Sequence, residues 1–179
     1  YNFMKKVIVI LGQTASGKSD LAVLVAKKWS GEVISADSRQ VYRGLNIGAN
    51  KITAKEMRGI PHHLLNVANP KKRFTVSQFK DLAASKIKEI ISRGKIPIIC
   101  GGTGFYIDAI TSGLVLPEVP PDKKLRKILE KKNAPELFKI LKKLDPKRAQ
   151  VIDPHNKPRL VRAIEIARTL GKVPHLAVK

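Results

Sequence analysis

The sequence of 179 residues is poor in cysteine, in aromatic residues and in acidic residues. Its single cysteine, Cys100, excludes an internal disulfide, and no group of cysteines and histidines has the spacing of a zinc site. No apolar run reaches the length of about 20 residues that a membrane-spanning helix requires, and the amino terminus lacks the layout of a signal peptide. We therefore expect a cytoplasmic protein that does not enter a membrane.

The scarcity of acids leaves a large positive excess. Asp and Glu number 14 against 35 Lys and Arg, which gives a formal net charge of +21. A hydrophobic content of 43% is enough for an ordinary core and excludes a disordered basic tail. Such a surface favours a polyanion, above all a nucleic acid, as the partner. The alternative is a lysine-rich composition that serves solubility or thermostability.

The first two thirds of the chain alternate strands and helices. We predict strands at 7–11, 32–35 and 96–100 and an extended piece at 63–67, the first of them buried on both faces. A helix at 19–29 presents Leu21, Leu24 and Val25 on one face, and a second helix begins at a capping box of Thr75 and Gln78 and ends before Gly94. This alternation predicts a parallel α/β sheet flanked by helices.

The composition changes after Gly113. A proline-rich stretch, 117–121, precedes short basic helices predicted at 122–132, 135–143, 146–152 and 158–170. We therefore divide the chain into an α/β core at 4–116 and a basic helical region at 117–179, in which 156–172 returns to the core. The many lysines of this region form either a solvated helix face or an RNA-binding surface.

The strongest motif follows the first strand and fits the phosphate-binding P-loop pattern G-x-x-x-x-G-K-[ST]. Its backbone N–H groups and the following helix dipole would hold a phosphate, Lys18 would reach the terminal phosphate, and the Ser19 hydroxyl would help to hold Mg²⁺. The predicted diphosphate-binding residues are Gly12, Gln13, Thr14, Ala15, Ser16, Gly17, Lys18 and Ser19.

A carboxylate that could act with this loop is Asp37. Hydrolytic P-loop proteins place an Asp at the end of a later buried strand, whereas 96–100 runs into Gly101, Gly102 and Thr103, so an ATPase is disfavoured. Asp37 instead follows the second strand, which we expect to neighbour the first. There it would face the phosphate site and accept a proton from an attacking nucleophile. The alternative is that Asp37 only caps a turn.

The order of motifs resembles the tRNA dimethylallyltransferase (tRNA isopentenyltransferase) family. The resemblance rests on GQTASGKS at 12–19, DSRQVYRGLNIG at 37–48, GIPHHL at 59–64, GGTGFY at 101–106 and RLVRAIE at 159–165. It implies a P-loop NTPase-like fold and transfer of a dimethylallyl group from dimethylallyl diphosphate to the exocyclic amine of the adenosine 3′ of the anticodon in tRNA. The loop would then bind an isoprenoid diphosphate with Mg²⁺, and no protein partner is expected, so the chain would be a monomer.

The resemblance also implies roles for individual residues. Asp37, Lys18 and Thr103 would be catalytic, and Thr103 would lie where the two substrates meet. The residues implied to contact tRNA are Asp37, Ser38, Arg39, Gln40, Thr103, Arg126, Pro158, Arg159, Leu160, Val161 and Arg162. Arg162 would lie near the diphosphate as well, and the alternative for it is a helix-face arginine paired with Glu165.

Two departures from the family accompany these expectations. Asn66 and Asn69 stand where family members usually carry Asp, and relatives continue well past the position of Lys179, so we expect a shortened form of the enzyme. The alternatives are a P-loop small-molecule kinase, a transferase that prenylates free adenine nucleotides, and a catalytically impaired tRNA-binding fragment.

Overall fold

The computed structural model describes residues 6–112 and 116–174. The chain divides into two compact units, and the described parts of these are 6–112 (the first unit) and 116–174 (the second unit). Within these residues, no helix combines the length and the apolar character needed to cross a membrane.

The first unit is built on a parallel sheet. Its strands are β1 (Ile8–Leu11), β2 (Gly31–Ser35), β3 (His62–His63) and β4 (Ile96–Gly101). All neighbours pair in parallel in the order β1-β4-β2-β3, so β4 and β2 are the inner strands. The predicted fold class, a parallel sheet flanked by helices, is confirmed.

Four helices belong to this unit. They are α1 (Lys18–Lys28), α2 (Ala54–Met57), α3 (Val76–Ser92) and α4 (Gly104–Thr111). The predicted capping box is present at α3, where Thr75 accepts from the N–H of Gln78 and Gln78 accepts from the N–H of Thr75. The sequence reasoning did not predict α2 or α4. Both are short, and α4 begins within the glycine-rich motif, which masks its helical pattern.

Two expectations about β1 are wrong. β1 is an edge strand of the described sheet, and only one of its faces is covered. Ile8 and Ile10 pack against the cluster that α1 forms with β2 and β4, whereas Val9 and Leu11 on the other face are 39% and 60% exposed. Its neighbour is β4 and not β2, because β4 lies between the two. The carboxyl ends of β1 and β2 are therefore separated by the width of one strand.

The apolar face predicted for α1 is only partly the face that packs on the sheet, since Val25 is half-buried against the core. Leu21 and Leu24 are exposed, and the helix instead buries Ala22, Val23 and Ala26. Small side chains on this face let the helix backbone lie close to the sheet, where they pack in one cluster with residues of β2 and β4. The leucines do recur at helical spacing, but the neighbouring small residues form the face that packs against the sheet.

A buried carboxylate joins three of the strands at their amino ends. Glu32 lies in β2, and its oxygens are 2.7 Å from His63 Nε2, 2.7 Å from an Arg93 nitrogen and 2.9 Å from Lys95 Nζ. Burial alone would raise the pKa of Glu32, but the hydrogen bonds from Lys95 and His63 and the nearby cations lower this pKa to about 2. This cluster ties β2 to β3 and to the start of β4.

The second unit is helical, as predicted. It contains α5 (Lys123–Leu129), α6 (Ala134–Leu144), α7 (Pro146–Val151) and α8 (Lys157–Leu170), and no residue of 116–174 lies in a strand. Each helix has a side-chain cap, supplied by Asp122, Asn133, Asp145 and Asn156. Leucines of α5, α6 and α8 form its core. The return of 156–172 to the α/β core stays a prediction.

Candidate active site

Three loops meet at the carboxyl edge of the sheet in the first unit. They follow β1, β4 and β2, and glycines of the β4 loop allow the close approach. A Cβ on Gly101 would lie 2.1 Å from the Ala36 carbonyl oxygen, and one on Gly102 would lie 3.3 Å from the Gly12 carbonyl oxygen. The backbone completes the junction, since Ala36 N donates to Cys100 O over 2.8 Å. The loop after β4 thus bridges the loops after β1 and β2, the two strands that were expected to be direct neighbours.

The loop after β1 has the geometry of an anion-binding turn. Ala15 and Gly17 adopt left-handed conformations with φ of 64° and 77°, which turns successive N–H groups toward one side. Gly17 is the N-cap of α1 and provides no side-chain acceptor for the first-turn N–H groups of the helix. These donors therefore remain available for an anion, and the helix dipole adds positive potential.

The Lys18 amine is held inside this loop. Lys18 Nζ donates to Gln13 O over 2.8 Å, and the Lys18 carbonyl oxygen accepts a weak bond from the Cys100 thiol at 3.5 Å. Burial raises the pKa of Cys100 to about 11, although the positive charge of Lys18 opposes this. The thiol therefore stays protonated near neutral pH and contributes packing rather than a nucleophile.

Asp37 both caps a turn and keeps an oxygen available. Its Oδ1 accepts from Arg39 N at 2.8 Å and from Gln40 N at 3.3 Å, and no donor among residues 6–112 contacts its Oδ2. Ser38 N donates to Thr103 Oγ1 over 3.0 Å. That bond fixes the loop after β2 against the loop after β4, so the structure brings Asp37 and Thr103 together.

The four residues 37–40 differ in what their side chains can contact. Ser38 and Arg39 are exposed. The Gln40 side chain already has hydrogen-bond partners within the fold. Its Oε1 accepts from Ser35 Oγ at 3.0 Å, and its Nε2 donates to the carbonyl oxygens of Ala49 and Asn50 at 3.3 and 3.2 Å. Gln40 therefore fastens the loop that contains Ala49 to the end of β2.

Sequence reasoning missed a lysine that organises the neighbouring loops. Lys51 Nζ donates to Tyr42 O at 2.8 Å and to Asn66 Oδ1 at 2.7 Å, and burial lowers its pKa. The amide oxygen of Asn66 thus supplies an acceptor at a position where the family resemblance implied an Asp. No local pattern connects Lys51 with Asn66, because they are far apart in sequence and meet only in the fold.

A buried tyrosine adjoins the same loops. Tyr106 of α4 stacks on Phe79 of α3 with ring centroids 4.1 Å apart and an interplanar angle of 14°. Burial raises the pKa of Tyr106, and the neighbouring Tyr42 and the Asp37 carboxylate raise it further. The phenol therefore stays neutral beside Asp37, and the stacked pair supports the base of the loop after β4.

In the second unit, Arg126 and Arg162 share one buried carboxylate. Arg126 donates to both oxygens of Glu165 at 2.7 and 2.6 Å, and Arg162 donates to Glu165 at 3.3 Å and to Val119 O at 2.8 Å. Burial alone would raise the pKa of Glu165, but the bond from Arg126 and the other donors lower it. The pairing of Arg162 with Glu165, which the sequence left open, is present.

The predicted tRNA-contacting stretch in α8 has two kinds of side chain. Pro158 and Arg159 are exposed at the start of the helix, and Asn156 caps it by accepting from Arg159 N at 3.1 Å. Leu160 and Val161 are buried in the core of the second unit. Their side chains therefore hold the helix in place, and the exposed pair is what a ligand of this face would meet.

A family model described as IPP transferase matches residues 40–178 of the chain. Among curated relatives, the tRNA dimethylallyltransferase of Anoxybacillus flavithermus is 45% identical over 168 residues, which are 94% of this chain and 54% of that protein. The tRNA dimethylallyltransferase of Halalkalibacterium halodurans is 44% identical over 172 residues, 94% of this chain and 55% of that protein. The chain spans about half the length of these relatives.

Solved structures of enzymes with these names are similar to the chain as well. The crystal structure of the full-length tRNA isopentenylpyrophosphate transferase of Bacillus halodurans matches with a TM-score of 0.64 and 43% identity over 94% of this chain and 57% of that chain. A eukaryotic dimethylallyltransferase acting on tRNA matches with a TM-score of 0.81 and 33% identity over 98% of this chain and 46% of that chain. Since the family model spans most of the sequence, the chain belongs to the IPP transferase family.

Proposed function

We propose that this chain transfers a dimethylallyl group from dimethylallyl diphosphate to the exocyclic amine of the adenosine 3′ of the anticodon in tRNA. The observation that carries the proposal is the meeting of the anion-binding loop, Asp37 and Thr103 at one edge of the sheet. The names of the relatives, tRNA dimethylallyltransferases, support the same reaction.

The loop after β1 would bind the diphosphate. The first-turn N–H groups of α1 and the Lys18 amine would contact its oxygens, and Lys18 would exchange its bond to Gln13 O for one to phosphate. When the allylic C–O bond breaks, the electron pair leaves with the diphosphate. Donors that are already oriented stabilise this growing negative charge at little cost in reorganisation.

Asp37 would accept the proton that the adenosine amine loses. The amine nitrogen forms a bond to the allylic carbon, the C–O bond to the diphosphate breaks, and the surplus N–H proton passes to Oδ2 of Asp37. Oδ1 is occupied by the N–H groups of Arg39 and Gln40, which hold the carboxylate in one orientation. The Thr103 hydroxyl accepts from Ser38 N and so keeps its own proton free to donate to an oxygen of the diphosphate.

The donor set suits Mg²⁺ held largely by the substrate. No group of three or more His, Cys, Asp or Glu side chains among 6–112 and 116–174 could enclose a metal ion. The Ser19 hydroxyl at the start of α1 and the Asp37 carboxylate are hard oxygen donors, and Mg²⁺ is commonly bound by one or two such groups together with substrate phosphates. Bound there, Mg²⁺ would neutralise charge on the departing diphosphate.

The positive excess of the chain would serve tRNA binding. Arg39 beside Asp37, and Arg126, Arg159 and Arg162 of the second unit, are the residues we assign to contacts with tRNA, while Leu160 and Val161 would act by holding their helix. Neutralising phosphates releases counterions, so the affinity should fall steeply as salt rises. A tRNA substrate would also place the chain in the cytoplasm.

The test separates proton transfer from the turn-capping role of Asp37. In Asp37→Asn the amide oxygen can still accept from Arg39 N and Gln40 N, so the turn is kept while the proton acceptor is lost. We expect transfer to fall by about 100-fold or more, with unchanged thermal stability and unchanged binding of inorganic pyrophosphate. Asp37→Ala, which removes the turn acceptor too, is the comparison variant. If Asp37→Asn retains transfer within threefold, Asp37 is a turn cap and its proposed role is refuted.

A further inference from the structure

A second concave surface lies in the first unit, between the segment after β3 and the start of α3. Its volume is about 440 Å³. The rim carries the charged side chains of Lys72, Arg73 and Asp81, and the wall is apolar, formed by Val67, Phe74 and Leu82. None of these residues belongs to the loops that form the candidate active site.

The side chains of Lys72 and Arg73 at this rim, and of Lys71 beside it, have no partner among the described residues. Lys71, Lys72 and Arg73 are consecutive and exposed, and in the described part of the chain none of their side chains makes an ion pair or hydrogen bond. Some other cations of the first unit are paired, as Arg93 is with Glu89 and Glu32. Lys27, Lys55 and Lys88 are also exposed, but they lie apart on three different helices and are not consecutive. Three adjacent unpaired charges on a folded surface repel one another, and binding of an anion relieves that repulsion.

A defined turn presents these charges. Asn69 Oδ1 accepts from Lys71 N at 2.9 Å, and Asn69 O accepts from Lys72 N at 3.0 Å. Phe74 N donates to the Tyr42 hydroxyl at 3.1 Å, which anchors the end of the turn. The backbone of the basic turn is thereby fixed, so little ordering entropy opposes binding.

The turn adjoins the segment that follows Asp37. Tyr42 pairs with Ala68 in a parallel bridge, and Arg43 N donates to Ala68 O at 3.0 Å. The exposed side chains of Arg39 and Arg43 lie along this connection. Positive charge therefore continues, within the first unit, from the candidate active site to the basic turn.

We propose that the basic turn and its cavity bind single-stranded RNA, with Lys71, Lys72 and Arg73 on consecutive phosphates and one unstacked base against Phe74 and Leu82. Asp81 would accept a hydrogen bond from a ring N–H or amino group of that base, which in uracil is the N3–H. An apolar wall beside a row of cations is the usual arrangement for binding single strands, where bases contact apolar surface and phosphates contact cations. That this strand belongs to tRNA, beside the target adenosine, rests on the proposed function, whereas binding of RNA itself does not.

The experiment compares two triple variants of the whole chain. Lys71→Gln/Lys72→Gln/Arg73→Gln removes the turn charges, and Lys27→Gln/Lys55→Gln/Lys88→Gln removes three exposed charges from α1, α2 and α3 as a control matched in net charge. The probe is a fluorescent nine-nucleotide oligouridylate titrated between 0.05 and 0.5 M salt, values chosen on the order of those that resolve counterion release.

Each phosphate contact with a single strand contributes about 0.7 to the slope of log affinity against log salt concentration. Losing three contacts should therefore lower the slope of the turn variant by about 2, which corresponds to about 100-fold lower affinity at about 0.1 M salt. The control should stay within threefold of the wild type. A 4-thiouridine version of the probe should crosslink to a peptide within 67–82.

Equal losses in the two variants, the absence of any crosslink within 67–82, or no binding of the oligonucleotide by the wild type would each overturn the proposal. Loss of binding to phosphatidylglycerol vesicles in the turn variant without loss of RNA binding would assign the surface to lipid and overturn it as well. If the turn variant loses RNA binding while the wild type performs no prenyl transfer, the RNA site stands and the proposed function falls.

Discussion

Gly101→Ala should separate the loops of the candidate active site. Gly101 ends β4, and an added Cβ would lie 2.1 Å from the carbonyl oxygen and 2.4 Å from the carbonyl carbon of Ala36. Real Cβ atoms essentially never approach other atoms within 3.0 Å. Because the obstructing atoms are backbone, no side-chain rotation relieves the clash, and β2 and β4 must move apart by about 1 Å.

That displacement breaks specific bonds. The bond from Ala36 N to Cys100 O, now 2.8 Å, and the bond from Thr103 N to Ala36 O, now 3.2 Å, would both exceed hydrogen-bonding range. With about 1 kcal/mol for each bond and at least about 1 kcal/mol of residual strain, the free energy of unfolding should fall by about 3 kcal/mol. Asp37 would move away from Thr103 at the same time, so transfer should fall more than pyrophosphate binding.

Urea unfolding at pH 7 measures the first effect, and transfer and pyrophosphate binding at a temperature where the variant is folded measure the second. Gly48→Ala is the matched control, since no atom lies within 4 Å of the position that its added methyl group would occupy and its φ is not in the left-handed region. If Gly101→Ala unfolds at the same urea concentration as Gly48→Ala, the close approach of the two loops is not as described and the reasoning is refuted.

Two further predictions concern charge. The pKa of Glu32 is lowered from 4.5 to about 2 in the folded chain. Ionised Glu32 therefore contributes about 3 kcal/mol to the free energy of unfolding above pH 4.5, and this contribution is lost as pH falls toward 2. Urea unfolding between pH 7 and 3 should show the loss, and Glu32→Gln should be less stable at pH 7 with a flatter pH dependence. Lys18→Met should weaken inorganic pyrophosphate binding by about 10- to 100-fold in calorimetry. The melting temperature should not change, because within 6–112 and 116–174 the Lys18 amine has a single bond, to Gln13 O. An unchanged affinity would remove Lys18 from the anion site.

The parts of the molecule that follow from local pattern were predictable. The P-loop motif, the capping box at Thr75 and the helices of the second unit all depend on residues a few positions apart. Local steric and hydrogen-bonding preferences act over this range, so the sequence alone specifies them. The alternation of strands and helices also predicted that Asp37 and the P-loop follow parallel strands, whose carboxyl ends lie at the same edge of the sheet.

The parts that depend on strand order were not predictable. Nothing in the sequence says that β4 inserts between β1 and β2. This insertion places β1 at the edge of the described sheet and makes Gly101 and Gly102 the bridge between the loops. The same applies to Lys51 and Asn66, which meet across loops only after the sheet has formed. Tertiary packing decides these contacts, and no local preference records it.

For single site residues, too, the motif was predictable from the sequence and the tertiary contacts were not. Gln40 was assigned to tRNA contact by the family resemblance, but in the fold its amide bonds to Ser35 and to two backbone carbonyls. Arg126 was assigned to tRNA, and it makes a bidentate pair with Glu165. A motif identifies which residues matter at a site, whereas their partners in the unbound fold set how each can act.

The most direct measurement of the central claim is the mass of the nucleosides after reaction. The chain is incubated with dimethylallyl diphosphate, Mg²⁺ and unmodified tRNA that carries adenosine 3′ of the anticodon, and the tRNA is then digested to nucleosides. We predict a dimethylallyl adenosine that appears with the wild type and is strongly reduced with Asp37→Asn. Absence of that nucleoside, with consumption of ATP on a small acceptor instead, would contradict the account and favour a P-loop kinase.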